Sequence, residues 1–243
     1  MKPADDIGTC VERGEFRFRP GPFQEQAPRP GPKLGLKELE KPFKRCQSPC
    51  RDNIGSDESI QKTQVPRLNI IPTVVDLSAA EVELSDMPDR EFRLRGSISR
   101  ISASYDYIII DCPPSLGMLT VNALAAATSV LVPLQCEFYA LEGLSQLMRT
   151  IDSVKAGLNG ALSMQGIVLT MFDSRNKLSA MVANDVRDHF GELVYNTVVP
   201  RNVRVSEAPS FGQPVLIYDL KCPGSQAYAA LAAELLRQEA KAA

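Results

Sequence analysis

Nowhere in these 243 residues does a Gly-Lys-Ser or Gly-Lys-Thr tripeptide occur. An ordinary phosphate-binding loop, with its lysine on the β- and γ-phosphates and its hydroxyl on Mg²⁺, is therefore missing from the sequence. Gly31-Pro32-Lys33-Leu34-Gly35 is the nearest approach, and Pro32 stands where such a loop needs a backbone donor. The chain has a single histidine, His189, which sits beside Phe190 on a polar helix edge and reads as a surface residue. Six cysteines show no paired CxxC spacing, which points to reduced thiols rather than a disulfide or zinc framework. Cys112 and Cys136 read as small buried residues, because no general base accompanies them. No apolar run is long enough to span a membrane. A net charge of −2 argues against the chain as a whole binding polyanions, though local patches remain available.

The most informative stretch that is present is Tyr105–Gly117, YDYIIIDCPPSLG. Ile108, Ile109 and Ile110 are too few for a helix and suit a strand buried on both faces. Asp111 follows at the carboxyl end, the edge at which open α/β sheets hold ligands. A carboxylate there is costly to bury unless it meets a cation or donors, a need that Mg²⁺ and its waters meet; the bland reading is a cap or loop residue. Pro113 and Pro114 stop the strand, and Ser115 is placed to cap the next helix.

Coarse patterning alternates strands with helices. Strands are predicted at Leu68–Pro72, Tyr107–Asp111, Ser129–Pro133, Gly166–Met171, Val194–Val199 and Pro214–Tyr218. Helical faces run through Leu116–Leu124, Leu141–Val154, Leu178–Phe190 and Ala227–Leu236. Such alternation predicts an α/β fold with a doubly wound, mostly parallel sheet. Arg17–Pro32, dense in Pro, Gly and Arg, cannot bury enough surface to offset its ordering entropy and is expected to be disordered. Residues 1–57 are thus expected to form a leader, and residues 58–243 one α/β domain. The leader reads either as a basic tether or as a segment unrelated to the rest.

YDYIIIDCPPSLG, LVPLQCEFYALEGLSQL, GIVLTMFDSR and VVPRNVRVSEAPSFGQPVLIYD occur in this order. Together they resemble the ParA/Soj partition ATPases, from about Ser59 to about Leu236. The resemblance implies a P-loop NTPase-like domain, incomplete at its amino terminus. It also implies ATP and Mg²⁺ as cofactors, with Asp111 as the Walker-B aspartate reaching Mg²⁺ through water. Met171, Phe172 and Asp173, with Pro200, Arg201 and Val203, would form the adenine pocket. Arg175 and Arg204 would face DNA phosphates without sequence preference, and Lys221 would extend the patch. Asp76, Glu81, Gln135 and Glu142 would border a homodimer. The implied partners are a ParB-type protein and DNA, the implied setting cytoplasmic and nucleoid-associated, with no membrane.

The same family opens with a strand, a deviant phosphate loop of the form KGGVGKTT and a helix, and none of these is found here. In the family that strand lies beside the Walker-B strand, so its absence predicts unpaired ladder groups and exposed apolar surface. Two readings follow. One is an ATP-dependent, DNA-binding partition ATPase; the other is an inactive relative that acts, if at all, as a binding module. Without the loop lysine the γ-phosphate loses its main positive partner, so hydrolysis is expected at background.

Overall fold

The computed structural model describes residues 59–72, 81, 84–113 and 115–242. Two short strands, β1 (Gln61–Lys62) and β2 (Asn69–Ile70), pair antiparallel. Helix α1 (Arg93–Ile98) packs on α2 (Met118–Ala126), where Asn122 accepts the Leu94 amide and donates to the Arg90 carbonyl. Strand β3 (Ser129–Gln135) leads into α3 (Ala140–Gly157), and β4 (Ser163–Thr170) into α4 (Lys177–Phe190). Then come two short helices, α5 (Val203–Glu207) and α6 (Val215–Tyr218), and the long closing helix α7 (Pro223–Ala242).

β3 and β4 pair in parallel, joined by the crossover helix α3 that such pairing needs. β4 is the central element. Its far side meets the extended segment after α4 through isolated parallel bridges, Ile167 to Val194 and Phe172 to Pro200. Ile167 and Leu169 are fully buried against Val132, Leu134, Leu144, Val182 and Val186, so α3 and α4 cover one face. Val168 points the other way, into Tyr195, Val199 and the Ala227, Leu231 and Leu235 stripe of α7. Helices on both faces of a parallel pair give the expected α/β layering. Gly166, with φ near +151°, lies where a Cβ would meet the Tyr195 ring at 2.6 Å, so glycine lets the two backbones approach.

Three predicted strands do not form: Val194–Val199 contributes only an isolated bridge to β4, and the other two make no strand pairing among the described residues. Tyr107–Asp111 has no ladder partner among the described residues and adopts no regular structure. Ile109 is 92% exposed, where burial on both faces was expected. The physical reason lies at β3. Cys136 N donates to Thr170 O, so alternation turns the amides of Leu131 and Gln135, and the ring of Pro133, to the opposite edge. Among the described residues no strand occupies that edge, and Leu131 remains 39% exposed. The isoleucine run does not pair with that open edge, so its backbone makes no ladder among the described residues.

Val215–Tyr218 forms one helical turn instead of a strand. Pro214 accepts from Ile217 and Tyr218, and Ser225 Oγ bonds to the Val215 and Asp219 carbonyls at 3.0 and 2.6 Å. Those carbonyls are satisfied locally, which removes the need for a neighbouring strand. Cys136 is buried as expected, but Cys112 is an exposed residue on the unpaired segment. Its sulfur is nonetheless shielded by neighbouring atoms; that desolvation, aided by the Asp111 charge, holds the thiol above its usual range. Among the described residues no helix is long and apolar enough to cross a membrane.

Candidate functional site

β4 ends in a sharp turn. Met171 adopts φ near +52°, a left-handed conformation uncommon for a residue with a side chain, and Phe172 follows it into the bridge with Pro200. Phe172 donates to Val199 O at 3.2 Å and accepts from Arg201 N at 2.9 Å. The two loops that follow, 171–176 and 200–205, are thereby fastened side by side at the carboxyl edge of the sheet. Asn176 and Asn202 cap the next helices, accepting from Leu178 N at 3.0 Å and Arg204 N at 2.9 Å.

Three arginines stand on this edge, and each is held by a carboxylate. Arg175 forks onto Asp173 through Nε and Nη2, both at 3.1 Å, and its backbone amide adds a third bond at 3.0 Å. These bonds hold the Asp173 carboxyl below its usual value and raise the guanidinium. Arg201 reaches Glu137 at 3.6 Å. Arg204 meets Glu207 at 2.9 Å and Asp219 at 3.6 Å, while Tyr218 OH donates to the same Glu207 oxygen at 3.3 Å. All four pairs are open to solvent on the arginine side, where screening keeps such pairs weak. An incoming phosphate can exchange for a carboxylate at little cost.

The structure thus brings Met171, Phe172, Asp173, Arg175, Pro200, Arg201 and Arg204 together. Val203 is 70% exposed on α5, next to Asn202. Gln135 lines an open groove of about 700 Å³ beside the exposed, edge-to-face pair Phe138 and Tyr139. Glu142 is exposed in the first turn of α3. Glu81 turns inward and accepts from Leu119 N at 3.4 Å, acting as a cap for α2, whereas Asp76 lies outside the described residues. His189 is exposed and packs edge-on against Phe190.

Asp111 stands apart from this cluster, exposed on the unpaired segment. Among the described residues no group of three or more metal-ligating side chains converges. Asp111 is the one carboxylate the family motif offers to Mg²⁺ here, and no chemical step is routed through the ion. The carboxylates that hold the arginines escaped sequence reasoning. Glu207 was within reach, three residues beyond Arg204 on one helical turn; Glu137 and Asp219 meet their arginines only through the fold.

A family profile described as "AAA domain" matches residues 37–164. The chromosome partitioning protein ParA of Caulobacter vibrioides is 61% identical over 180 residues, covering 73% of this chain and 67% of that protein. The chain belongs to the ParA/Soj family of chromosome-partitioning proteins. The sporulation initiation inhibitor protein Soj of Bacillus subtilis is 49% identical over 176 residues, covering 72% of this chain and 70% of Soj. Among solved structures, cobyrinic acid a,c-diamide synthase from Mycobacterium smegmatis, with bound ADP and magnesium, superposes with a TM-score of 0.65 at 34% identity. That match covers 79% of this chain and 70% of the synthase. A plasmid partition protein from Borrelia burgdorferi bound to AMPPNP gives a TM-score of 0.69 at 18% identity, covering 84% and 78%, which speaks for the fold alone. The chain has the α/β fold of ParA/MinD-type P-loop NTPases, and it spans about two thirds of the length of the ParA/Soj relatives.

Proposed function

We propose that this ParA/Soj-family chain serves chromosome partitioning by binding DNA through the paired loops at the carboxyl edge of β4, without hydrolysing ATP. The observation that carries the reading is the Phe172–Pro200 bridge, which fastens the loop of Arg175 to the loop of Arg201 and Arg204. Guanidinium groups bond phosphate oxygens in fixed fork geometry, contacts that carry no sequence information. Contacts of this kind neutralise phosphates and release counterions, so the affinity is sequence-blind and falls with salt. Lys221 extends the patch, since its amide bonds to Asp219, the same carboxylate that Arg204 approaches.

Nucleotide enters the reading only as a weak ligand. The Met171–Asp173 turn and Pro200–Val203 supply a pocket wall for a base. The sequence carries no Gly-Lys-Ser or Gly-Lys-Thr lysine for the γ-phosphate, and among the described residues no group of three or more metal-ligating side chains converges. A ParB-type protein is the partner the family role implies. Titrating a labelled duplex with the wild-type chain and with Arg175→Ala/Arg204→Ala tests the proposal. The double variant should lose most of the affinity at low salt; equal binding by both would refute the assignment.

A further inference from the structure

The segment joining α4 to the arginine loop runs beside β4 with an irregular step. Tyr195 N donates to Ile167 O at 2.9 Å, and Val199 N donates to Leu169 O at 2.8 Å. A regular parallel ladder advances two residues on both strands between successive donations to one neighbour. Here β4 advances two, from 167 to 169, while the segment advances four, from 195 to 199. Two residues are therefore looped out, and the backbone bends at Asn196.

A loop-out of this kind takes amides out of the ladder, and they must be satisfied elsewhere. Glu234 of α7 satisfies them. Its Oε1 accepts Asn196 N at 2.7 Å and Asn196 Nδ2 at 3.1 Å, and its Oε2 accepts Thr197 N at 2.9 Å. Glu234 is only 7% exposed, so its charge is set against two backbone donors and one side-chain donor rather than against water. Beyond the loop-out β4 advances three residues, from Leu169 to Phe172, while the segment advances two, from Val199 to Arg201, so one residue is taken back at the Met171 turn and Pro200 stands opposite Phe172 with a net offset of one. The same helix braces the other end of the loop: Gly224 lies so close to Val205 and Asn202 that a Cβ there would collide with Val205.

We infer that Glu234 is a positioning residue: it holds the two-residue loop-out between Tyr195 and Val199 and so sets where Arg201 and Arg204 stand. The closing helix thereby controls the geometry of the arginine loop from its middle turns as well as from its first. A shorter, regular connection would bring Val199 to the level of Phe172 and move the arginines along the strand direction. The binding consequence rests on the DNA reading given above; the control of register does not.

Amide resonances of the full chain test the inference, compared among wild type, Glu234→Ala and Glu234→Gln. In Glu234→Ala, exchange at Asn196 and Thr197 should accelerate by about tenfold or more, since a charged acceptor is lost. The Arg201 and Arg204 resonances should move, while those of Val182 and Val186 on the opposite face stay in place. Glu234→Gln keeps the reach and one acceptor oxygen, so the same resonances should move partway, and this variant carries the comparison if the alanine variant does not fold. Duplex affinity should follow the same order, wild type above glutamine above alanine. Arg201 and Arg204 resonances that stay fixed in a folded Glu234 variant would overturn the inference, whatever the loss in stability. A wild-type chain that fails to bind duplex, with resonances that still move, would overturn the DNA reading and support the register control.

Discussion

Phe172 and Pro200 face each other across a single parallel bridge, and that one pairing joins the two arginine loops. Phe172 uses both its backbone groups in it, toward Val199 and Arg201. Loosening the bridge should therefore separate Arg175 from Arg204 without touching either side chain.

Catalysis offers the simplest expectation. With no Gly-Lys-Ser or Gly-Lys-Thr lysine in the sequence, ATP turnover should stay at background even with duplex DNA and a ParB-type protein present. Steady-state phosphate release measures this. Stimulated release that disappears in Asp111→Ala would show a working site and defeat the expectation.

On the DNA reading, the carboxylates on the arginines would compete with phosphate. Asp173→Asn leaves the turn's acceptor oxygen but removes the charge that holds Arg175. Duplex affinity should rise, on the order of two- to fivefold, because a weak, solvent-screened pair no longer has to be exchanged. Fluorescence anisotropy at low salt reads the change directly; an unchanged or weaker affinity would mean that Arg175 does not meet phosphate.

Acid sensitivity should trace in part to Glu234. Burial pushes its carboxyl up, but the bonds from Thr197 and Asn196 outweigh that and leave it below its usual value of 4.5. A group depressed in the folded state contributes stability above its unfolded pKa and loses it as pH falls through the folded pKa. The thermal midpoint of the wild type should thus drop more steeply below about pH 4.5 than that of Glu234→Gln. Parallel curves for the two proteins would rule out this source.

The exposed isoleucine is a folding liability rather than a contact. Leaving Ile109 in water forgoes about 1.5–3 kcal/mol of burial, and the free β3 edge lies open among the described residues. The isolated chain should aggregate on warming. Ile109→Lys should delay that aggregation without lowering the thermal midpoint, as light scattering and calorimetry together would show. A lowered midpoint would mean that Ile109 is packed in solution.

Helices were the most legible part of the fold, because Leu144, Ile151 and Val154, or Val182 and Val186, recur at helical spacing on buried faces. β3 and β4 were legible as short β-branched runs. The same signal failed at Ile108–Ile110 and at Val215–Tyr218, because an apolar run states what it would bury, not whether a partner strand is there. The arginines of the site were readable from the family motifs. Their carboxylate partners and the Glu234 brace were not, since Glu137, Asp219 and Glu234 meet their targets across the fold, from distant positions in the chain.

One titration tests the account most directly: labelled duplex against the full chain, with and without ATP, over a series of salt concentrations. The account predicts weak binding, indifferent to DNA sequence, with log K falling against log salt at a slope of about −2 to −3 for two or three phosphate contacts. ATP should leave every curve unchanged. Tight binding that appears only with ATP would contradict the account.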